Sequence, residues 1–116
     1  MLVFSQFHRL RHKQDFQFVF AKPSKTIHKY LLALYRTNAL DHARLGIIVN
    51  KSHVKRAPDR NRIKRVIRES FRHHQQVLKG LDIIVLIRSE CDTLDKKTLR
   101  DNIDTLWQKV MHSSTP

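Results

Sequence analysis

Residues 43–88 read ARLGIIVNKSHVKRAPDRNRIKRVIRESFRHHQQVLKGLDIIVLIR. Residues 43–50 put Leu45, Ile47 and Val49 on one side of an extended chain, the pattern of a strand. Asp82–Arg88 (DIIVLIR) is a β-branched run bounded by charges. Apolar on both faces, it belongs in the middle of a sheet covered on both sides. Between the two, Pro58 and Asp59 open a helix over 58–77, and Gly80 stops it. On a helical wheel Ile63, Val66, Ile67, Ser70, Phe71, His74, Val77 and Leu78 fall within roughly 140°. Lys64, Arg68, Asn61, Arg72 and Arg65 fall within about 100° on the other side, with Arg62 a little further round. Strand, helix, strand makes a βαβ unit, so the two strands are expected to be parallel.

Upstream, residues 28–37 (HKYLLALYRT) read as one strand, apolar on both alternating faces. The polar link 38–42 predicts an antiparallel hairpin with strand 43–50, and Ser24–Ile27 a short edge strand. A helix over 13–21 carries Asp15 near its positive end and stops at Pro23. Phe16, Val19 and Phe20 share one face of it, a pattern that periodicity alone reads as ordinary core packing, and Phe18 points the opposite way. Residues 1–11 read as a flexible, extended arm. Downstream, Asp92 or Thr93 caps a helix over 93–111 with Leu99, Ile103, Leu106, Trp107 and Val110 in one stripe, and 112–116 as a frayed tail. The pattern is one α/β domain over 1–116, without repeats or linkers.

Composition narrows the function. The chain has 116 residues and a net charge of +13. The longest apolar runs, Tyr30–Tyr35 and Ile83–Ile87, fall far short of the ~20 residues of a membrane span. The N-terminus lacks the apolar core of a secretory signal. Cys91 is the one cysteine, which excludes an internal disulfide and suggests a reducing compartment. Glycines at 46 and 80 alone rule out a Gly-rich phosphate loop. Residues 1–29 carry net +5, 30–50 net +1, 51–72 net +7 and 73–116 net 0. Charge concentrated in two segments is the footprint of a polyanion partner. In Lys51–Arg72 nine bases face only Asp59 and Glu69, a spacing that can follow successive phosphates with salt-dependent affinity. A strand precedes this helix where a helix-turn-helix would need a helix, which favours structured or single-stranded RNA over DNA.

Arg60-Asn61-Arg62-Ile63-Lys64-Arg65 with Arg68-Glu69-Ser70-Phe71-Arg72 resembles the "RNR" motif of the bacterial ribonuclease P protein subunit. Arg44-Leu45-Gly46, Val49-Asn50-Lys51, Asp15-Phe16 with Val19-Phe20, and Asp82-Ile83-Ile84-Val85 resemble that family's flanking signatures. The match runs over about residues 9–110 in the right order. The resemblance implies an αβββαβα two-layer sandwich like ribosomal protein S5 domain 2, with a central mixed sheet and a left-handed parallel βαβ crossover. It implies a cytoplasmic ribonucleoprotein, with one protein per catalytic RNA and no membrane partner. The RNA uses Mg²⁺ to remove the 5′ leader from precursor tRNA, while the protein carries no catalytic residue, metal or cofactor of its own. Carried over, Arg60, Asn61, Arg62, Lys64, Arg65, Arg68 and Arg72, with Lys55 and Arg56, would hold the catalytic RNA. Phe16 and Phe20, with Lys13, Lys51, Tyr35 and Arg36, would line a cleft for the single-stranded leader, which leaves Phe18, on the opposite face, as the core candidate.

Other features are weaker. His8/His12 and His73/His74 lack a zinc-site pattern. His12, His53, His73 and His74 suit auxiliary phosphate contacts. Cys91 reads as space-filling. Glu90, Asp92, Asp95, Asp101 and Asp104, interleaved with Lys96, Lys97 and Arg100, read as a solvated helix face. Two rival classes remain: a non-enzymatic RNA-binding protein of the ribosome or a regulatory complex, and a basic DNA-binding module.

Overall fold

The computed structural model describes residues 8–89 and 93–114. Residues 1–7 of the expected arm, Glu90, Cys91, Asp92 and the end of the tail lie outside them. The elements are α1 (Lys13–Ala21), β1 (Ser24–His28), β2 (Leu31–Thr37), β3 (Arg44–Ile48), α2 (Ala57–His74), β4 (Leu81–Ile87) and α3 (Lys96–Ser114). The order αβββαβα is the expected one.

β4 decides the sheet. Its residues 81–85 and Ile87 are all buried, so it needs partners on both edges and cover on both faces. The strand order is β1-β2-β4-β3. β3 pairs with β4 in parallel, as the βαβ reading expects. β2 pairs antiparallel with β4, from Leu31↔Ile87 to Thr37↔Leu81. The expected hairpin between residues 28–37 and 43–50 is therefore corrected: β4 lies between them. The link 38–42 carries the chain over the start of β4. Asn38 stitches it there, donating from Nδ2 to the His42 carbonyl (3.1 Å) and to Asp82 Oδ1 (2.8 Å). Ala39 takes a left-handed φ of 60°.

The single strand expected over 28–37 is also corrected. Lys29, at φ 53°, and Tyr30 turn the chain, and β1 folds back on β2. That tight turn lacks the Asn-Gly or Asp-Gly pair that normally announces one.

Alternation sorts the sheet's side chains. Leu31, Ala33, Tyr35, Leu45, Ile83, Val85 and Ile87 share the main core with Ile63, Ile67 and Phe71 of α2 and with Leu99, Ile103, Leu106, Trp107 and Val110 of α3. Sheet and α2–α3 pair are the two layers. α1 crosses part of the opposite face, where Leu10, Val19 and Ile84 form a smaller core.

The wheel's buried face on α2 holds, with two exceptions. The helix ends at His74, so Val77 falls beyond it and is 56% exposed. His74 is only partly buried and places Nδ1 2.8 Å from the Ser70 carbonyl. α3 begins at Lys96, later than expected, because Asp95 caps it: Asp95 Oδ1 accepts from the Thr98 amide at 2.7 Å. Residues 112–114, expected to fray, continue the helix. Part of the arm is docked rather than loose: Arg9 bridges Leu45, and the Leu10 amide donates to the Leu45 carbonyl at 3.0 Å.

Ser70 joins the two long helices. Its Oγ donates to Asp104 and accepts from Trp107 Nε1 at 2.8 Å. Both Ser70 and Trp107 are fully buried. Ser70→Ala leaves Trp107 Nε1 unpaired in a dry site, at a cost of about 1–3 kcal/mol, while Asp104, partly exposed, keeps Arg100. The denaturation midpoint should fall accordingly with an unchanged m-value; an unchanged midpoint would show that Trp107 finds another partner.

Candidate nucleic-acid interface

The side chains beneath α1 form rows across β2, β4 and β3. Arg36, Asp82 and Arg44 make the first row; Leu34, Ile84 and Gly46 the second; Leu32, Leu86 and Ile48 the third, which Ile27 extends onto β1. A carboxylate stands in the first row with no exposure at all. It is satisfied there by a bidentate fork, Arg44 Nε to Asp82 Oδ1 (2.9 Å) and Arg44 Nη2 to Oδ2 (2.7 Å), and by Asn38. The hydrogen bonds that Arg44 donates to Asp82 raise the Arg44 pKa above its ordinary value.

The same row holds both ends of α1. Arg44 Nη1 lies 3.6 Å from Asp15 Oδ1 in the first turn. Asp15 Oδ2 also accepts from the His12 amide at 3.1 Å. Near the other end, Arg36 Nη1 donates to the Phe18 carbonyl at 2.7 Å, and its guanidinium stacks 3.9 Å from the Phe18 ring centroid. Arg36, expected to contact the leader, is thus engaged in seating α1. Phe18 is 39% exposed under that guanidinium; Val19, not Phe18, is the core residue.

Phe16 packs directly against Gly46. A Cβ built at position 46 would come within 2.7 Å of the ring's Cε1 and 2.8 Å of its Cζ. Any larger residue would lift the ring off β3. A lone glycine in a strand is the sequence signal of such an approach. Phe20 is 44% exposed, and Lys13 and Lys51 are exposed. Tyr35 is corrected: it faces the other way, 3% exposed in the α2–α3 core, its hydroxyl 3.3 Å from Thr26 Oγ1. Its even-numbered neighbours, not Tyr35, reach the α1 face.

Along α2 the charged side chains divide into supporting and outward-facing groups. Arg60 Nη1 donates to the carbonyls of Val54 (3.0 Å) and Lys55 (2.8 Å), fixing the loop before the helix. Arg62 Nη1 donates to the Leu94 carbonyl at 3.0 Å, fixing the loop before α3. Arg72 pairs with Glu69, and this holds the Glu69 carboxyl below its usual range. Asn61, Arg65, Lys55 and Arg56 are exposed, and Lys64 and Arg68 are half-buried.

Lys64 and Arg68 reach the residues beneath α1. One cleft of about 440 Å³ is lined by Arg9, Leu10, Arg11 and Phe16, by Leu45, Gly46 and Ile47 of β3, and by Lys64 and Arg68 of α2. Burial, and then the positive charge of Arg9, lower the Arg68 pKa. Cations gathered here at an electrostatic cost suit an anionic ligand. Arg9 and Arg11 were not assigned a site from sequence, because nothing local shows the arm folding back onto β3.

Comparison with known proteins gives one answer. The Ribonuclease P family model matches residues 4–111. The ribonuclease P protein component of Pectobacterium atrosepticum is 43% identical over 108 residues, 93% of this chain and 91% of that one. The Staphylococcus aureus RNase P protein superposes with a TM-score of 0.82 at 29% identity, covering 89% of this chain and 94% of that one. The Thermotoga maritima RNase P protein gives 0.76 at 31% identity, covering 93% and 98%.

Gly46→Ala tests the seat of Phe16. Overpacking of this kind costs about 1–3 kcal/mol. Amide exchange should accelerate in α1 while the α2 and α3 amides keep their protection; uniform acceleration would place the strain elsewhere.

Proposed function

The chain belongs to the ribonuclease P protein family, and from that premise we propose how its two basic regions serve the ribonucleoprotein. As a ribonuclease P protein component it associates with an RNA subunit in tRNA processing. In our reading the catalytic RNA runs along the outer side of α2. Arg65, Asn61, Lys64, Arg68 and Arg72 meet its backbone, and Lys55 and Arg56 continue the contact at the start of the helix. Arg60 and Arg62 serve it by holding the two loops that flank that surface.

The single-stranded 5′ leader of precursor tRNA lies between α1 and the open end of the sheet. Phe16 and Phe20 offer faces for base stacking, worth roughly 1–3 kcal/mol per base and tolerant of sequence. Lys13 and Lys51 supply charge at the rim, and Arg36 keeps α1 at its height above the floor. The observation that carries this reading is the single cleft lined by Phe16 from α1 and by Lys64 and Arg68 from α2. A strand leaving the leader cleft passes directly to the surface assigned to the catalytic RNA.

Hydrolysis belongs to the RNA, with Mg²⁺ as its metal. Among the described residues no group of three or more His, Cys, Asp or Glu side chains could hold a metal ion. The protein binds and orients. One protein per catalytic RNA and a cytoplasmic location go with this reading.

Adding the protein to its cognate catalytic RNA at low Mg²⁺ and moderate salt should restore 5′ maturation of precursor tRNA. Unchanged turnover and substrate affinity would reject the assignment; tight binding to ribosomal RNA alone would favour a ribosomal role. Phe16→Ala should weaken precursor tRNA binding by about 1–3 kcal/mol and leave mature tRNA binding unchanged, whereas equal losses would remove Phe16 from the leader. Arg65→Ala with Arg68→Ala should weaken assembly and reduce the salt slope by about two. A collapse of the denaturation midpoint instead would make that pair structural.

A further inference from the structure

We propose that the groove between α2 and the first turns of α3 is a second contact line for the backbone of the catalytic RNA, resting on the function proposed above. The groove, of about 490 Å³, is lined by Arg62, Arg65, Val66 and Glu69 from α2 and by Lys96 and Arg100 from α3. Residues 73–116 sum to zero charge, but the fold sorts them. Lys96 and Arg100, four apart, fall on the side facing α2. Lys97 and Asp101, one position round, pair with each other at 3.0 Å on the exposed side.

The carboxylates around the groove already have partners. Glu69 pairs with Arg72 and His73. Asp104 accepts from Ser70 Oγ and from Arg100 Nε. Among the described residues, Arg65 and Lys96 take part in none of the ion pairs on this flank. Arg62 and Arg65 on the α2 wall and Lys96 on the α3 wall therefore face a groove whose acid, Glu69, is engaged by Arg72, while Arg100 is held by Asp104.

The walls are rigid. Ser70, Asp104 and Trp107 lock the helices together, and Arg62 fastens the Leu94 carbonyl at the mouth of α3. Little side-chain or loop ordering opposes binding to a groove built this way. Its chemistry selects the partner. A protein surface would need an apolar or aromatic anchor, and among the described residues Val66 alone is an apolar lining residue. A phosphodiester backbone needs cations on both sides, and Arg65 belongs both to this groove and to the outer side of α2. One RNA strand can continue from the helix into the groove.

The test is assembly of the protein with its cognate catalytic RNA across a salt series. Losing one phosphate contact should weaken Lys96→Ala by about fivefold at 0.15 M salt and reduce the salt slope by about one. Lys96→Glu should lose more, and Lys97→Ala, whose ammonium already has Asp101, should match the wild type. Arg65→Ala reports separately on α2. If Arg65→Ala weakens assembly while Lys96→Glu binds like the wild type, the groove is not an RNA contact. A loss in Lys97→Ala equal to that of Lys96→Ala also overturns it, because general charge would then explain both. If Arg65→Ala and Lys96→Glu are both silent, the α2 assignment itself falls, and the groove with it.

Discussion

A strand that is apolar on both faces cannot sit at an edge or face water. β4 is such a strand, buried from Leu81 to Val85 and again at Ile87, and the rest of the molecule is arranged around its needs. It takes β2 on one side and β3 on the other. It takes α2 and α3 over one face and α1 with residues 8–10 over part of the other. The two basic regions are separate because the strand must be covered twice. α2 covers one face with its apolar side and turns its charges outward; α1 covers the other only in part, leaving the row of Ile27, Leu32, Leu86 and Ile48 toward the open end.

The one charged residue in the body of that strand sets the position of α1. A buried carboxylate is tolerable only when it is fully paired, and Asp82 recruits Arg44 and Asn38 for this. Arg44 then has a third nitrogen to offer, which lies toward Asp15. Arg36, level with Asp82 on the neighbouring strand, holds Phe18 near the far end of the helix. Gly46 allows Phe16 to lie close against β3. The height of the helix above the sheet, and with it the width of the cleft, follows from these contacts rather than from the helix's own small apolar face.

Charge was the most legible property in the chain. Twelve of the thirteen net charges fall in residues 1–29 and 51–72, and the wheel for α2 separates the core from the charged side correctly. It could not divide the charged side by task. Arg60 and Arg62 lie in the same run as Asn61, Lys64 and Arg65, yet both are occupied by backbone carbonyls of neighbouring loops. Arg36 and Tyr35 adjoin in sequence and face opposite sides of the sheet, because β alternation separates them. Lys96 and Arg100 looked like part of a neutral surface until the packing of α3 on α2 separated them from Lys97 and Asp101.

The sequence by itself determined the type and order of the elements, the parallel βαβ unit and the buried stripe of α2, and its charge pointed to a polyanion partner. Each depends on local periodicity or on charge counted along the chain. Only the tertiary structure decided that β4 passes between β2 and β3. The five-residue link 38–42 is compatible with a hairpin, and the choice against it is made by a strand that arrives some forty residues later and needs both edges paired. Only the tertiary structure, too, folded Arg9 and Arg11 against β3 beside Lys64 and Arg68. Contacts between residues so far apart leave no local pattern; they are fixed by which surfaces must be covered once the core has formed.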